Sequence, residues 1–547
     1  MKLLQYILPP LALLGTLTAC RDYDGSYQDY VSGSSDSLYV EMTFDVAGSA
    51  VTRAVPNGGE EGDGWEYGRE YENQLHNFTV FVLGGGNGVN AAANTPFFGS
   101  RYFSDEEVAR IDSIREENLR LKPYDVLKDV LTYTFSIPII ASRDEINPKI
   151  FRFIVVANNG DLTSYQTLGA LRDGIPQRTW TAPTADTPNP TRFVMSNEND
   201  QYYETGSGAF DDPYRLHVSI ERMAARIDYY PTGTEITSDG IRYPLNNTKD
   251  GVTTTLAYLY LDRMAIVNGS QKPSYYIKRV ADDINGTNVV YLGDETPTPR
   301  GIATNYVIDP YSVQKTVANR EALPATLFGD SRISNVAALL AADASKVPTI
   351  ENTKSPVILG YVNENTYAAD MACAEYSTGV ALQCRYAPQK NYYTAYDPEQ
   401  DGTLMETTDG VSAVSDGLTP GTYELGTTFY LVEYNQKGIY ETQRLYFKNK
   451  TDAEAYATNT AKGRFGKVTE YVGGVCYYFI YMRHSNNVEV VHDKMEYGIV
   501  RNNIYRFTLQ SASGPGTPTP DYRGPEEMKA RIYVKKWIAV EHPIIYV

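Results

Sequence analysis

Residues 38–46 read LYVEMTFDV, and their alternation is strict. Leu38, Val40, Met42, Phe44 and Val46 fall on one side of an extended chain, and Tyr39, Glu41, Thr43 and Asp45 on the other. Successive side chains of a strand point to opposite faces of its sheet, so this pattern predicts a strand with one buried face. It stops at Gly48-Ser49. A second alternation lies far along the chain. Ala530, Ile532 and Val534 interleave with Lys529, Arg531, Tyr533 and Lys535, and residues 537–547 carry further apolar side chains.

Composition extends that strand reading to the whole chain. Among 547 residues there are 46 Tyr, 43 Gly and 29 Pro, with Thr and Val frequent, which suits many short strands joined by turns. Further strands are expected at 76–83, 133–140, 149–157, 193–197 and 216–230. Beyond Pro231-Thr232-Gly233 the clearest are 256–267, 357–362, 380–386, 429–434 and 475–482. The best helical stretch is 104–120, with Ser104 as N-cap and acids in its first turn; 451–462 predicts a short surface helix. The segment GPGTPTP at 514–520 is a strand-incompatible linker. The expected fold class is all-β with a few short helices.

The first residues read as an export signal. Residues 1–19 hold an apolar run interrupted by Pro9 and Pro10, too short for a spanning helix of about 20 residues. Leu17-Thr18-Ala19-Cys20 has the form of a bacterial lipobox, which makes Cys20 the lipidation site and the lipid an anchor for the precursor. Residues 21–37 read as a polar tether, with Asp22 and Asp24 resembling a surface-export signal. Arg53-Ala54 follows the alternating strand and precedes a polar, Gly- and Glu-rich stretch, a setting that suits an Arg-specific protease.

Several function classes are excluded by what the chain carries. A net charge of −18, from 67 acids against 49 Lys and Arg, does not suit a nucleic-acid surface. The zinc-protease, serine-hydrolase and penicillin-binding signatures do not occur, and Gly84 to Gly88 lacks the Lys-Ser or Lys-Thr of a phosphate loop. The five histidines have no metal-ligand spacing. Asp397 to Gly402 fits a polar turn better than a calcium loop. No catalytic residue, metal or cofactor is expected. Past Cys20, three cysteines remain; Cys373 and Cys384 can close a hairpin, or all three are buried thiols.

What the pattern offers is physical. A cut after Arg53 would free the strand at 38–46 and remove five inward side chains, about 10 kcal/mol of burial at roughly 1.5–3 kcal/mol each. An apolar strand from another molecule could fill that groove and pair its backbone there. The alternative is that both terminal strands pair within one monomer.

Motifs spread along the chain resemble one family. They include Arg152-Phe-Ile-Val-Val-Ala-Asn-Asn159, Phe193-Val-Met-Ser-Asn197, Ile220-Glu-Arg-Met-Ala-Ala-Arg-Ile227 and Tyr361-Val-Asn-Glu-Asn-Thr366. Gly473-Gly-Val-Cys-Tyr-Tyr478, Met482-Arg-His484, Tyr497-Gly-Ile-Val-Arg-Asn-Asn-Ile-Tyr505, Gly514 to Pro518 and Lys535-Lys-Trp537 follow in order. Together they resemble the Bacteroidales type V pilins (fimbrillins), in particular the Mfa-type major subunit of short fimbriae. The resemblance implies two β-sandwich-like domains, 54–231 and 232–547, behind a signal peptide (1–19) and a propeptide (20–53). It also implies lipidation at Cys20, cleavage between Arg53 and Ala54, and loss of the strand bearing Leu38, Val40, Met42, Phe44 and Val46. Polymerisation would then use a donor strand within 529–547, with Ala530, Ile532, Val534, Trp537, Val540, Ile544 and Val547 as candidates.

The function expected on that basis is a structural shaft subunit, exported as an outer-membrane lipoprotein precursor and assembled into adhesive surface fimbriae. Its expected partners are copies of itself, accessory fimbrial subunits, an Arg-specific protease and a host or bacterial surface receptor. The rival readings are a tip or anchor subunit, and a monomeric glycan-binding surface lipoprotein.

Overall fold

The computed structural model describes residues 37–46, 64–84, 86–110, 131–138, 151–202, 206–207, 212–249, 251–293, 306–311, 322–342, 355–366, 374–389, 392–394, 404–406, 423–436, 439–484, 495–524 and 527–538. Cys20, Arg53, Ala54, Cys373, Asp397, Val540, Ile544 and Val547 lie outside them. The chain is all-β with a few short helices.

Among the described residues ten strands precede Pro231. They are β1 (Ser37–Val46), β2 (Trp65–Tyr67), β3 (Phe78–Leu83), β4 (Gly99–Phe103) and β5 (Leu131–Pro138), then β6 (Arg152–Ala157), β7 (Met195–Asn197), β8 (Gln201–Tyr202), β9 (Tyr214–Arg222) and β10 (Ala224–Tyr229). All but β2 and β10 form the first sheet, in the order β4-β3-β6-β7-β9-β1-β5 with β8 beside β6. Val40, Met42, Phe78, Val80, Phe153, Val155, Leu216 and Val218 fill the core beneath it.

A second sheet runs Val357–Asn363, β10, Asn503–Ala512, Met528–Ile538, β2. A third runs Glu235–Thr237, Gly240–Lys249, Val252–Val267, Gly379–Pro388, Val475–Tyr481. One core joins these two sheets: Ile227, Tyr229, Phe507 and Val534 from the second meet Leu259, Leu261, Leu382 and Tyr478 from the third. Apolar faces stacked in this way are the layer logic of a sandwich.

The stretch 216–230, read above as one long strand, is two. β9 ends in the first sheet at Arg222, and β10 begins in the second at Ala224. The Met223 N–H donates to the Val194 carbonyl at 2.9 Å, and the Met223 side chain is buried in a separate core. Alternation alone misses this because β10 is buried at every residue, so no solvent-facing side marks the change of sheet.

Two local expectations have clear physical causes. Residues 105–110 are helical, and Ser104 and Glu107 cap them reciprocally: the Glu107 N–H donates to Ser104 Oγ at 3.3 Å and the Ser104 N–H to Glu107 Oε2 at 2.8 Å. The helix Lys450–Ala457 starts under Asn449, whose Oδ1 accepts from the Thr451 N–H at 2.8 Å. The 514–520 linker runs along the third sheet, where Thr517 and Tyr477 exchange backbone hydrogen bonds at 2.9 and 3.0 Å. A Cβ at Gly516 would stand 2.0 Å from the Tyr477 carbonyl oxygen, so only glycine fits this approach.

Candidate assembly site

β1 is an interior strand of the first sheet. It runs antiparallel to β5, pairing Val40 with Phe135 and Met42 with Tyr133. On its other side it runs parallel to β9, pairing Val40 with Tyr214 and Met42 with Leu216. Val40 and Met42 are fully buried in the core, while Glu41 between them is partly exposed and lies 3.8 Å from Arg215. Among the described residues, the sheet order joins β5 to the other strands through β1. Removing β1 would therefore bare two edges, one on β9 and one on β5.

The chain leaves β1 at Val46 and re-enters the described structure at Gly64, just before β2. β2 belongs to the second sheet, so residues 47–63 are the covalent link between two sheets, and Arg53 and Ala54 fall inside that link.

The strand Met528–Ile538 lies between Asn503–Ala512, to which it is antiparallel, and β2, to which it is parallel. Ala530 packs against the sandwich core of the second and third sheets, within which Ile532 and Val534 are buried. Trp537 is buried in the first-sheet core, its ring 5.7 Å from that of Phe193 and stacked 5.8 Å from that of Tyr361. These four donor candidates thus occupy a strand of their own subunit's fold.

Around Trp537 sits a buried polar cluster that the sequence reading did not single out. The Trp537 indole donates to Glu72 Oε2 at 3.2 Å. Glu72 also accepts from Arg226 at 3.0 Å and from the Tyr361 hydroxyl. Arg226 pairs with Asp228 at 3.0 Å, and Arg506 joins Asp228 at 2.9 Å and Glu66 on β2. The Arg222 guanidinium lies over the Trp537 ring and donates to the carbonyls of Trp537 and Glu72, both at 2.9 Å. Gly68 makes room: a Cβ there would meet Asn73 Oδ1 at 2.6 Å and Trp537 Nε1 at 2.8 Å. Residues 64–73 are therefore locked to the terminal strand by buried charge and shape.

Burial tends to neutralise such groups, and their mutual pairing opposes it. Burial pushes the Glu66 pKa up, but the hydrogen bond and charge of Arg506 and the charge of Arg226 outweigh it, leaving the carboxyl below its ordinary 4.5. Burial likewise acts to lower the pKa of Arg226, and the charges of Asp228 and Glu72 reverse the direction. Burial and then Glu72 hold the Tyr361 hydroxyl well above its usual range. Part of the signal for this cluster was in the sequence: Arg226 and Asp228 stand inside the otherwise apolar run from Met223 to Tyr229.

Motif residues elsewhere do comparable work. Asn158, with φ 61°, accepts from the His76 N–H at 2.7 Å and donates to the carbonyls of Gln74 and Phe193. Asn197 bonds both polar groups of β6 within reach, the Val155 N–H at 2.6 Å and the Phe153 carbonyl at 3.0 Å. Arg501 and Glu364, from two separate motifs, form a fully buried pair at 3.0 Å. Lys536 pairs with Glu198 at 2.9 Å, both nearly inaccessible, and so ties the terminal strand to the first sheet's loops. Among the described residues no group of His, Cys, Asp and Glu is placed to hold a metal ion.

Residues 469–546 match the family model described as "Major fimbrial subunit protein type IV, Fimbrillin, C-terminal". No curated protein matches the chain. Among solved structures it is similar to the tip fimbrial protein Mfa3 from Porphyromonas gingivalis with C-terminal truncation. The identity is 9%, with 92% of this chain and 100% of that chain covered and a TM-score of 0.33. A fimbrilin (FimA) from Porphyromonas gingivalis W83 is 12% identical, with 92% and 99% covered and a TM-score of 0.33. The region matched by the family model contains the strands Val475–Tyr481, Asn503–Ala512 and Met528–Ile538, which carry Arg501, Lys536 and Trp537 or adjoin them, and it is this C-terminal region that is similar to the fimbrillins.

Proposed function

We propose that this fimbrial subunit is made as a lipoprotein precursor capped by its own first strand, and that cleavage after Arg53 arms it for donor-strand exchange along a fimbrial shaft. The observation that carries the reading is the position of β1. It fills an interior slot between β9 and β5, yet its covalent connection to the other described strands runs through 47–63. A single cut there turns an integral strand into a bound peptide. Lipid on Cys20 and the tether would leave with that peptide, so release from the membrane and exposure of the slot would coincide.

The donor in this scheme is 539–547 rather than the whole of 529–547. Extracting Ile532, Val534 and Trp537 would open two cores of the donor's own subunit. The nine residues 539–547 reach about 30 Å at roughly 3.3 Å each, close to the span of ten-residue β1, and offer Val540, Ile544 and Val547. The outer-membrane precursor, the Arg-specific protease, accessory subunits and a surface receptor belong to the same proposal.

The test treats purified precursor with an Arg-specific protease. Removal of residues up to Arg53 followed by a detergent-resistant ladder of oligomers is expected, and deleting 539–547 abolishes the ladder without unfolding the subunit. A cut product that stays monomeric in the presence of intact 539–547 sinks the shaft reading.

A further inference from the structure

We propose that Cys384 and Cys476 form a cross-strand disulfide in the assembled protein, stapling the strands Gly379–Pro388 and Val475–Tyr481 of the third sheet. The two residues are direct register partners on neighbouring antiparallel strands. Directly opposed residues in such a pair have Cα atoms about 4.5–5.5 Å apart, and their side chains share one face of the sheet. Those separations fall inside the window of roughly 4.4–6.8 Å that a disulfide spans without backbone movement. Both thiols are fully buried in the core between the second and third sheets, and they are unbonded in this structure.

The pairing differs from the Cys373–Cys384 hairpin considered from the sequence. It is carried by sheet register, which no spacing in the sequence discloses. The bond would close a long excursion of the chain. That excursion contains the three-stranded sheet of Phe429–Gln436, Ile439–Phe447 and Arg464–Tyr471, together with the helix Lys450–Ala457. Both ends of this appendage would then be held at one point.

Burial dictates when the bond forms. It pushes the Cys476 thiol up to about 12, and the Cys384 thiol well above its ordinary range. Thiolate is the attacking species, so the exchange must precede strand packing. One thiolate attacks the disulfide of a protein thiol-oxidant, forming a mixed disulfide. The second thiolate then displaces the oxidant's remaining sulfur. The pair loses two protons and two electrons, and the oxidant leaves as a dithiol. A thiol-oxidising compartment rests on the cell-surface reading of the subunit; the geometry does not.

The experiment therefore has an arm independent of localisation. Full-length protein carrying Cys373→Ser is refolded in a glutathione redox buffer, denatured without reductant and alkylated. Loss of two alkylated thiols, with a linked Cys384–Cys476 peptide recovered by proteolysis and mass spectrometry, is the expected result. Recovery of Cys384 and Cys476 as alkylated thiols overturns the proposal. The second arm maps wild-type protein taken from the cell surface, where the same linked peptide is expected. A linked peptide containing Cys373, or unlinked Cys384 and Cys476, overturns the proposal for the native protein. Neither arm requires polymerisation, so a missing ladder and a missing disulfide are separate results.

Discussion

Trp537 donates its indole N–H to Glu72, 465 residues earlier in the chain, at 3.2 Å. The contact joins the terminal strand to the segment that follows the proposed cleavage bond. Glu72 is inaccessible to solvent and is shared by Trp537, Arg226 and Tyr361. Removing its charge leaves Arg226 with less compensation in a buried site. Breaking one partner of a buried pair costs about 3–5 kcal/mol, so Glu72→Ala is expected to lower the urea unfolding midpoint strongly. Trp537→Ala removes the ring that Phe193 and Tyr361 pack against and is expected to cost a similar roughly 3–5 kcal/mol. Because the two residues touch, the double variant should cost less than the sum, which a double-mutant cycle reads directly.

Gly68→Ala tests the same junction by overfilling it. The added Cβ would stand 2.6 Å from Asn73 Oδ1, 2.8 Å from Trp537 Nε1 and 3.1 Å from Arg222 Nη2. All three atoms are held in the buried cluster, so relief requires breaking hydrogen bonds. Overpacking of this kind costs about 1–3 kcal/mol. Thermal unfolding of the variant should shift down, and limited proteolysis should cut earlier within 64–73. An unchanged midpoint would show that the cluster yields easily and is not the lock described above.

These two predictions also mark where sequence reading ended. The alternation of Leu38 to Val46 and of Ala530 to Val534 was legible in the sequence, and where the side chains are described it matches burial: Val40, Met42, Ile532 and Val534 are buried, and Glu41, Arg531 and Tyr533 are partly exposed. Beyond Val534 the terminal strand loses that signature: Lys536 and Trp537 are both buried, one in an ion pair and one in aromatic packing. The division of 216–230 into β9 and β10 was hidden for the same reason. Motif residues such as Asn158, Glu364 and Arg501 were visible as a resemblance. Their reason is a partner distant in the chain, 137 residues away for Arg501 and Glu364, or a positive φ, as at Asn158, which only the fold supplies. The pairing of Cys384 with Cys476 depends on register across a sheet, which local pattern does not encode.

Acid should loosen the junction through Glu66. Its carboxyl is held below 4.5 in the fold, so the folded state favours the ionised form more than the unfolded chain does. A depressed carboxylate contributes stability that is fully present above the unfolded value and is lost as pH falls through the folded one. The Glu66 contribution is therefore constant at neutral pH and declines as pH drops below about 4.5. Urea midpoints measured from pH 7 to pH 3 for wild type and Glu66→Gln should converge towards the acid end. Parallel curves would remove Glu66 as the titrating group, and the difference between variants cancels the titration of other acids such as Asp105.

Cleavage alone should not eject β1. After a cut within 47–63 the strand remains paired with both β5 and β9, and Val40 and Met42 remain buried. Those two side chains alone are worth about 3–6 kcal/mol at roughly 1.5–3 kcal/mol each, before any backbone ladder is counted. The cut subunit should therefore run as a monomer carrying the 38–46 strand until a competing strand displaces it, and assembly should be slower than proteolysis. Met42→Ala weakens that hold by about 2–5 kcal/mol, so the variant should pass from cut monomer to oligomer faster while being cut at the same rate. A synthetic 37–46 peptide added in excess should slow assembly of wild type, and the same peptide carrying Met42→Asp should not, because the acid cannot be buried in the slot without a partner. Time courses of cleavage and of ladder formation on one gel separate the two steps. If Met42→Ala leaves the assembly rate unchanged and the wild-type peptide has no effect, β1 is not the strand whose release limits polymerisation.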